Sequence, residues 1–118
     1  EYVTDKPFTV NTGKAYYGDT KDCIRIGKTG EASKLTIALS SEGQVAATSI
    51  VVNCRRADGN KNVNAMLTVN GVGPLAPAAN DAAAASDVVF TLSSSENLES
   101  IVLEGTAAIY IYSITVNK

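Results

Sequence analysis

The stretch Ile109-Tyr110-Ile111-Tyr112-Ser113-Ile114-Thr115-Val116 decides how the chain is read. Side chains of a β-strand alternate between its two faces, so residues two apart share a face. Ile109 and Ile111 have one parity, and Ile114 and Val116 have the other. A one-residue β-bulge near Tyr112-Ser113 brings all four onto one core face. The competing reading is a central strand buried on both sides. Either way the segment is a strand, rich in β-branched and aromatic residues.

The same alternation recurs outward from this segment. Phe8-Thr9-Val10 reads as a first strand, and Cys23 to Gly27 as a second, with Ile24 and Ile26 on one face. Lys34 to Leu39 alternates Leu35, Ile37 and Leu39 with Lys34, Thr36 and Ala38. Thr48 to Arg55 carries Ile50-Val51-Val52, apolar on both faces, as expected of a central strand. Met66 to Val69, Val88 to Leu92 and Ile101 to Leu103 complete the set before the last strand. The core expected from parity is Ile24, Ile26, Leu35, Ile37, Leu39, Ile50, Val52, Leu67, Val69, Phe90, Leu92, Ile101, Leu103, Ile111 and Ile114.

Turn signals separate nearly all of these runs. Lys28-Thr29-Gly30-Glu31-Ala32 has the length and the glycine of a hairpin loop. Asn70-Gly71 closes the fifth strand, and Ser93-Ser94-Ser95-Glu96-Asn97 forms a polar loop. Val72 to Ser86 reads as one long irregular connection, in which the alanine tract makes a loop or a short helix. The expectation is an all-β fold: an antiparallel β-sandwich of jelly-roll type with about eight strands, in one domain over residues 1–118.

Composition narrows function by exclusion. The 118 residues are 45% hydrophobic and 19% charged, with a net charge of −2. This is a globular composition with no basic field for nucleic acid or an anionic membrane. No apolar run approaches the roughly 18 residues of a membrane span. There is no His, which removes the commonest general base, the commonest zinc ligand and every His-activated nucleophile. The chain opens at Glu1 rather than Met, as after removal of a leader or trimming of an end. A secreted or cell-surface location is expected.

The two cysteines, Cys23 and Cys54, would close a loop of about 30 residues, worth about 3 kcal/mol on the chain-entropy model. Parity opposes the bridge. Cys54 shares the core face with Ile50 and Val52, whereas Cys23 has the parity opposite to Ile24 and Ile26. Two small free thiols are expected.

Asp22-Cys23-Ile24-Arg25-Ile26-Gly27 followed by Ser33-Lys34-Leu35-Thr36-Ile37 resembles a feature of small β-sandwich modules in secreted bacterial proteins. So does Ser49-Ile50-Val51-Val52-Asn53 followed by Leu67-Thr68-Val69-Asn70-Gly71. The ending Ile109 to Val116 is similar to the closing strand of jelly-roll carbohydrate-binding modules of the galactose-binding-like type. The resemblance covers the chain from about Phe8 onward and rests mainly on core patterning. It implies a non-catalytic module, attached to an enzyme or displayed at a cell surface. The chain differs from the sugar-binding members in having no Trp and in carrying Tyr112 where an acidic residue is often found.

Candidate ligand-binding residues come from two places. Tyr16 and Tyr17, expected in the loop after the first strand, offer ring faces of the kind that stack on sugars. Arg55, Arg56, Asp58 and Asn60 surround one turn and supply donors and acceptors for hydroxyls. Asp58, Asn60, Asn62 and Asn64 also alternate as oxygen ligands would, but with one carboxylate a solvated turn is expected, with no metal and no cofactor. Tyr110 and Tyr112 share a face and are expected to pack. Gly27-Lys28-Thr29 lacks the earlier glycine of a phosphate loop. No catalytic pair is recognisable, so no enzymatic activity is expected. Two functions stand: a binding module whose partner is a glycan, or a structural or adhesion domain serving a fused or neighbouring protein domain. Neither involves nucleic acid or membrane insertion.

Overall fold

The computed structural model describes residues 8–12, 15–18, 23–27, 32–39, 44, 46–57, 64–78, 85–93 and 97–118. They form strands β1 (Phe8–Thr12), β2 (Ala15–Gly18), β3 (Cys23–Ile26), β4 (Ser33–Ala38), β5 (Ser49–Arg56), β6 (Leu67–Val69), β7 (Val72–Leu75), β8 (Ser86–Thr91), β9 (Ser100–Gly105) and β10 (Ile109–Asn117). Two antiparallel sheets result, in the orders β1-β4-β9-β6-β7 and β2-β3-β10-β5-β8. No described residue is helical.

From β3 onward the chain changes sheet at every connection except the β6–β7 hairpin. This winding, with β3-β10-β5-β8 over β4-β9-β6-β7, is the eight-stranded jelly roll. β1 and β2 extend the same side of the two sheets, which raises the strand number from the expected eight to ten. The topology also corrects the hairpin expected at Lys28–Ala32. β3 and β4 belong to opposite sheets, so they do not form a hairpin with each other.

Alternation does what parity requires. Burial along β4 and β5 switches residue by residue. Ile24, Ile26, Leu35, Ile37, Ile50, Val52, Leu67, Val69, Phe90, Ile101 and Leu103 meet between the sheets. Leu92 is the exception among the expected core residues: it lies beyond the end of β8, half-buried against the cluster. In β10, Ile111 pairs with Cys54 and Ser113 with Asn53, so Tyr112 is the inserted residue. Ile109, Ile111 and Ile114 are accordingly all in the core, with Val116 packed against it. β10 is also the central strand of its sheet, so the bulge and the central position coexist.

Cys54 is fully buried and a free thiol. β3 and β5 flank β10 on opposite sides, which sets their backbones two strand spacings, roughly 9–10 Å, apart. A disulfide needs Cα atoms within about 7 Å, so the sheet itself forbids the bridge.

Val72 to Ser86 is not wholly irregular. Val72–Leu75 is a strand, β7, joined to β6 by the two-residue turn Asn70-Gly71. Both turn residues have positive φ, 48° and 78°, as a type I′ hairpin demands. Pro74 is tolerated because β7 is the edge strand of its sheet among the described residues. Farther on, Ala78 bridges to Arg55 in parallel, continuing the line of β8 past its start.

Candidate functional site

Tyr16 and Tyr17 lie within β2 rather than in a loop. Tyr16 is the register partner of Arg25 and Tyr17 that of Ile24. Arg25 pairs in turn with Tyr110, and Tyr110 with Arg55. The backbone register therefore runs Tyr16–Arg25–Tyr110–Arg55 across four strands, joining two of the expected site residues. Asp58 and Asn60, with Asn62, lie outside the described residues.

Tyr110 and the two arginines form a packed unit on the outer face of this sheet. The Arg55 guanidinium carbon is 5.0 Å from the centre of the Tyr110 ring, and that of Arg25 is 5.7 Å from it. Both distances are within cation–π range. The ring is only 6% exposed and packs with Ala57, Ala108 and Tyr112. Arg55 Nε donates to the Tyr112 hydroxyl at 3.1 Å, and Arg25 Nε to the Gly27 carbonyl at 3.3 Å. Arg56 Nε donates to the Ala65 carbonyl at 3.4 Å. The Arg55–Tyr112 bond and the two cation–π contacts tie β3, β10 and β5 together, and the Tyr110 ring has little face left to offer a ligand.

Cys54 lies beneath this unit on the core face. Burial, and secondarily the Asp87 carboxylate, pushes its thiol from 9.0 up to about 12. It is a protonated packing group at neutral pH, not a nucleophile. Among the described residues no cluster of three or more Cys, Asp or Glu could hold a metal ion.

A concavity among the described residues lies elsewhere. A cleft of about 450 Å³ is lined by Asn70, Val72, Leu92, Ser93, Asn97, Leu98, Glu99 and Ser100. It lies at the Ser49 end of β5, opposite to Arg55 and Arg56, because Thr91 pairs with Ser49 and Ser100 with Ala38. Its walls are held by the backbone. Leu39 N donates to the Glu99 carbonyl at 3.0 Å, Leu92 N donates to the Thr48 carbonyl at 2.9 Å, and Asn97 bridges to Ala46.

Asn70 fixes the wall contributed by the hairpin. Its Oδ1 accepts from Val102 N at 2.7 Å, and its Nδ2 donates to the Ser100 carbonyl at 3.0 Å. β6 turns away at this point, and the side-chain amide continues its ladder along β9. Both ends of that amide are therefore occupied. The groups facing the cleft with chemistry to offer are Ser93, Asn97, Glu99 and Ser100, set beside apolar Val72, Leu92 and Leu98. Ser93, Asn97 and Glu99 are exposed.

A second concavity, of about 360 Å³, is lined by Ser33, Lys34, Thr68, Glu104 and Thr106 among others. Lys34 and Glu104 are partly exposed and 3.6 Å apart, a pair of small energetic weight. The Ser33 hydroxyl is buried without a hydrogen-bond partner.

The cleft is assembled from the Asn70-Gly71 turn and the segment following β8. Both were visible in the sequence as turn signals, but nothing in their composition marks them as neighbours. Comparison of the chain with family models, with curated proteins and with solved structures finds no match in any of the three.

Proposed function

We propose that this chain is a non-catalytic binding module of a secreted or cell-surface protein, with carbohydrate as its ligand, taken in the cleft between the β6–β7 turn and the β8–β9 connection. The observation that carries the reading is the cleft's lining. A sugar ring has apolar C–H faces and a rim of hydroxyls. Val72, Leu92 and Leu98 provide for the first, and Ser93, Asn97, Glu99 and Ser100 for the second. The volume, about 450 Å³, is within the range of small-ligand sites. The jelly-roll winding agrees with the resemblance to galactose-binding-like modules, although fold alone does not name a ligand. A shallow site of this kind leaves little surplus over the cost of association, so a Kd of about 0.1–1 mM, or about 4–5.5 kcal/mol, is expected.

A glycan array with the whole chain tests this reading. Retained signal for one glycan class in the wild type, lost in Asn97→Ala/Glu99→Ala, supports it. Signal lost instead in Tyr16→Ala/Tyr17→Ala moves the site to β2 and the Arg55–Arg56 end of β5, which Asp58 and Asn60 follow in sequence. No signal for any glycan refutes the carbohydrate reading.

One observation favours the alternative, a structural or adhesion domain. Val89, 53% exposed, is the one exposed large hydrophobic among the described residues, and it lies on the edge strand β8. Open edges pair with other strands. Concentration-dependent association by light scattering, abolished in Val89→Lys, would support that reading.

A further inference from the structure

Resting on the cleft as the saccharide site, we propose that it selects saccharides by charge, taking neutral and amine-bearing sugars and rejecting acidic ones. The described residues that face the cleft come from three places. The β6–β7 turn brings Asn70 and Val72, the end of β8 brings Leu92 and Ser93, and the approach to β9 brings Asn97, Leu98, Glu99 and Ser100. Glu99 is the one charged residue among the described lining residues. Its backbone carbonyl is held by Leu39 N at 3.0 Å, which fixes the main chain from which the side chain projects.

The sequence interval that supplies the described lining residues is poor in cations. No Lys or Arg occurs between Lys61 and Lys118, whereas Asp81, Asp87, Glu96, Glu99 and Glu104 all fall in that interval. All of the lining residues come from the same interval. Lys118 follows the strand end at which Asn117 pairs with Ser49, and it is not part of the lining. The cations Arg25, Arg55 and Arg56 are at the other end of the strands. A uronic acid, sialic acid or sulfated sugar in the cleft would set an anion beside Glu99 with no cation among the described lining residues. A hexosamine would set its ammonium beside the same carboxylate. Such an exposed pair is worth roughly a 1.4- to 5-fold change in affinity, and less at high salt.

The test is an amide NMR titration of the whole chain with matched methyl glycosides: neutral hexose, 2-amino hexose and hexuronic acid, each in the gluco and galacto series. The expected order of affinity is amine, then neutral, then acid, with shifts centred on Ser93, Asn97, Glu99 and Ser100. The amine-to-acid ratio should shrink in Glu99→Gln and at high ionic strength. Acidic glycosides that bind in the cleft as tightly as the neutral ones would overturn the charge selection and leave the saccharide reading standing. Equal affinity for all three, or an unaltered ratio in Glu99→Gln with a native-like spectrum, would also overturn it. If no glycoside shifts the cleft resonances, both the selection and the saccharide site fall.

Discussion

Replacement of Asn70 by Ala removes three things at one position. It deletes the acceptor for Val102 N at 2.7 Å and the donor to the Ser100 carbonyl at 3.0 Å. It also places an L-residue without local side-chain support at φ 48°. Two intramolecular hydrogen bonds contribute about 0.5–1.5 kcal/mol each, or about 1–3 kcal/mol together. A left-handed backbone costs an ordinary L-residue about 1–2 kcal/mol. The expected loss is therefore about 2–5 kcal/mol, a large share of a typical domain's stability of about 5–15 kcal/mol. Asn70→Gly separates the terms, because glycine adopts positive φ without strain and loses only the hydrogen bonds, about 1–3 kcal/mol. Urea unfolding followed by far-UV circular dichroism or tyrosine fluorescence measures both, since the chain has five Tyr and no Trp. A loss under about 0.5 kcal/mol in Asn70→Ala, the size typical of surface sites, would show that the side chain does not tie the β6–β7 turn to β9. A glycine variant no more stable than the alanine one would refute the backbone part of the argument.

Other perturbations follow from the same geometry. Cys54 has a folded-state value raised from 9.0 to about 12, so the folded protein keeps a proton that the unfolded chain releases. Its contribution is complete below pH 9 and is lost as pH rises toward 12, by up to about 1.4 kcal/mol per pH unit; the fall of stability with pH over that window should be shallower in Cys54→Ala. Ser33→Ala removes a buried hydroxyl with no partner and should be neutral or stabilising by up to about 1 kcal/mol in thermal unfolding. Tyr110→Leu keeps apolar bulk but gives up the ring between Arg25 and Arg55, and should cost about 1–2 kcal/mol, with measurable coupling to Arg55→Met in a double-mutant cycle.

Much of the fold was legible because strand parity is a local signal. The change of parity between Ile111 and Ile114 requires an extra residue, and Tyr112 is that residue. The same rule put Cys54 inward. What parity does not carry is the partner of each strand. A short glycine-containing loop such as Lys28–Ala32 serves a hairpin or a crossing between sheets equally well, and only the assembled core selects the crossing. Pro74 obscured β7, since proline argues against a strand except at an edge, and edges are defined only once the sheet exists. Tyr16 and Tyr17 sit in a four-residue strand whose register with Arg25 and Ile24 is a long-range fact. The cleft was less legible still. Ser93, Asn97 and Glu99 have the composition of any solvated loop, and their proximity to Asn70 and Val72 follows from the winding of β6 through β9.

The central claim is that the cleft, and not the tyrosine–arginine face, receives a saccharide. The most direct measurement is a map of amide shift changes over the whole chain during titration with the best glycan from the array, at millimolar concentration. The account predicts saturable changes at Ser93, Asn97, Leu98, Glu99 and Ser100, with Tyr110 and Ala108 unmoved. Changes centred on Arg55, Ala57, Ala108 and Tyr110 instead, or none anywhere, would contradict it.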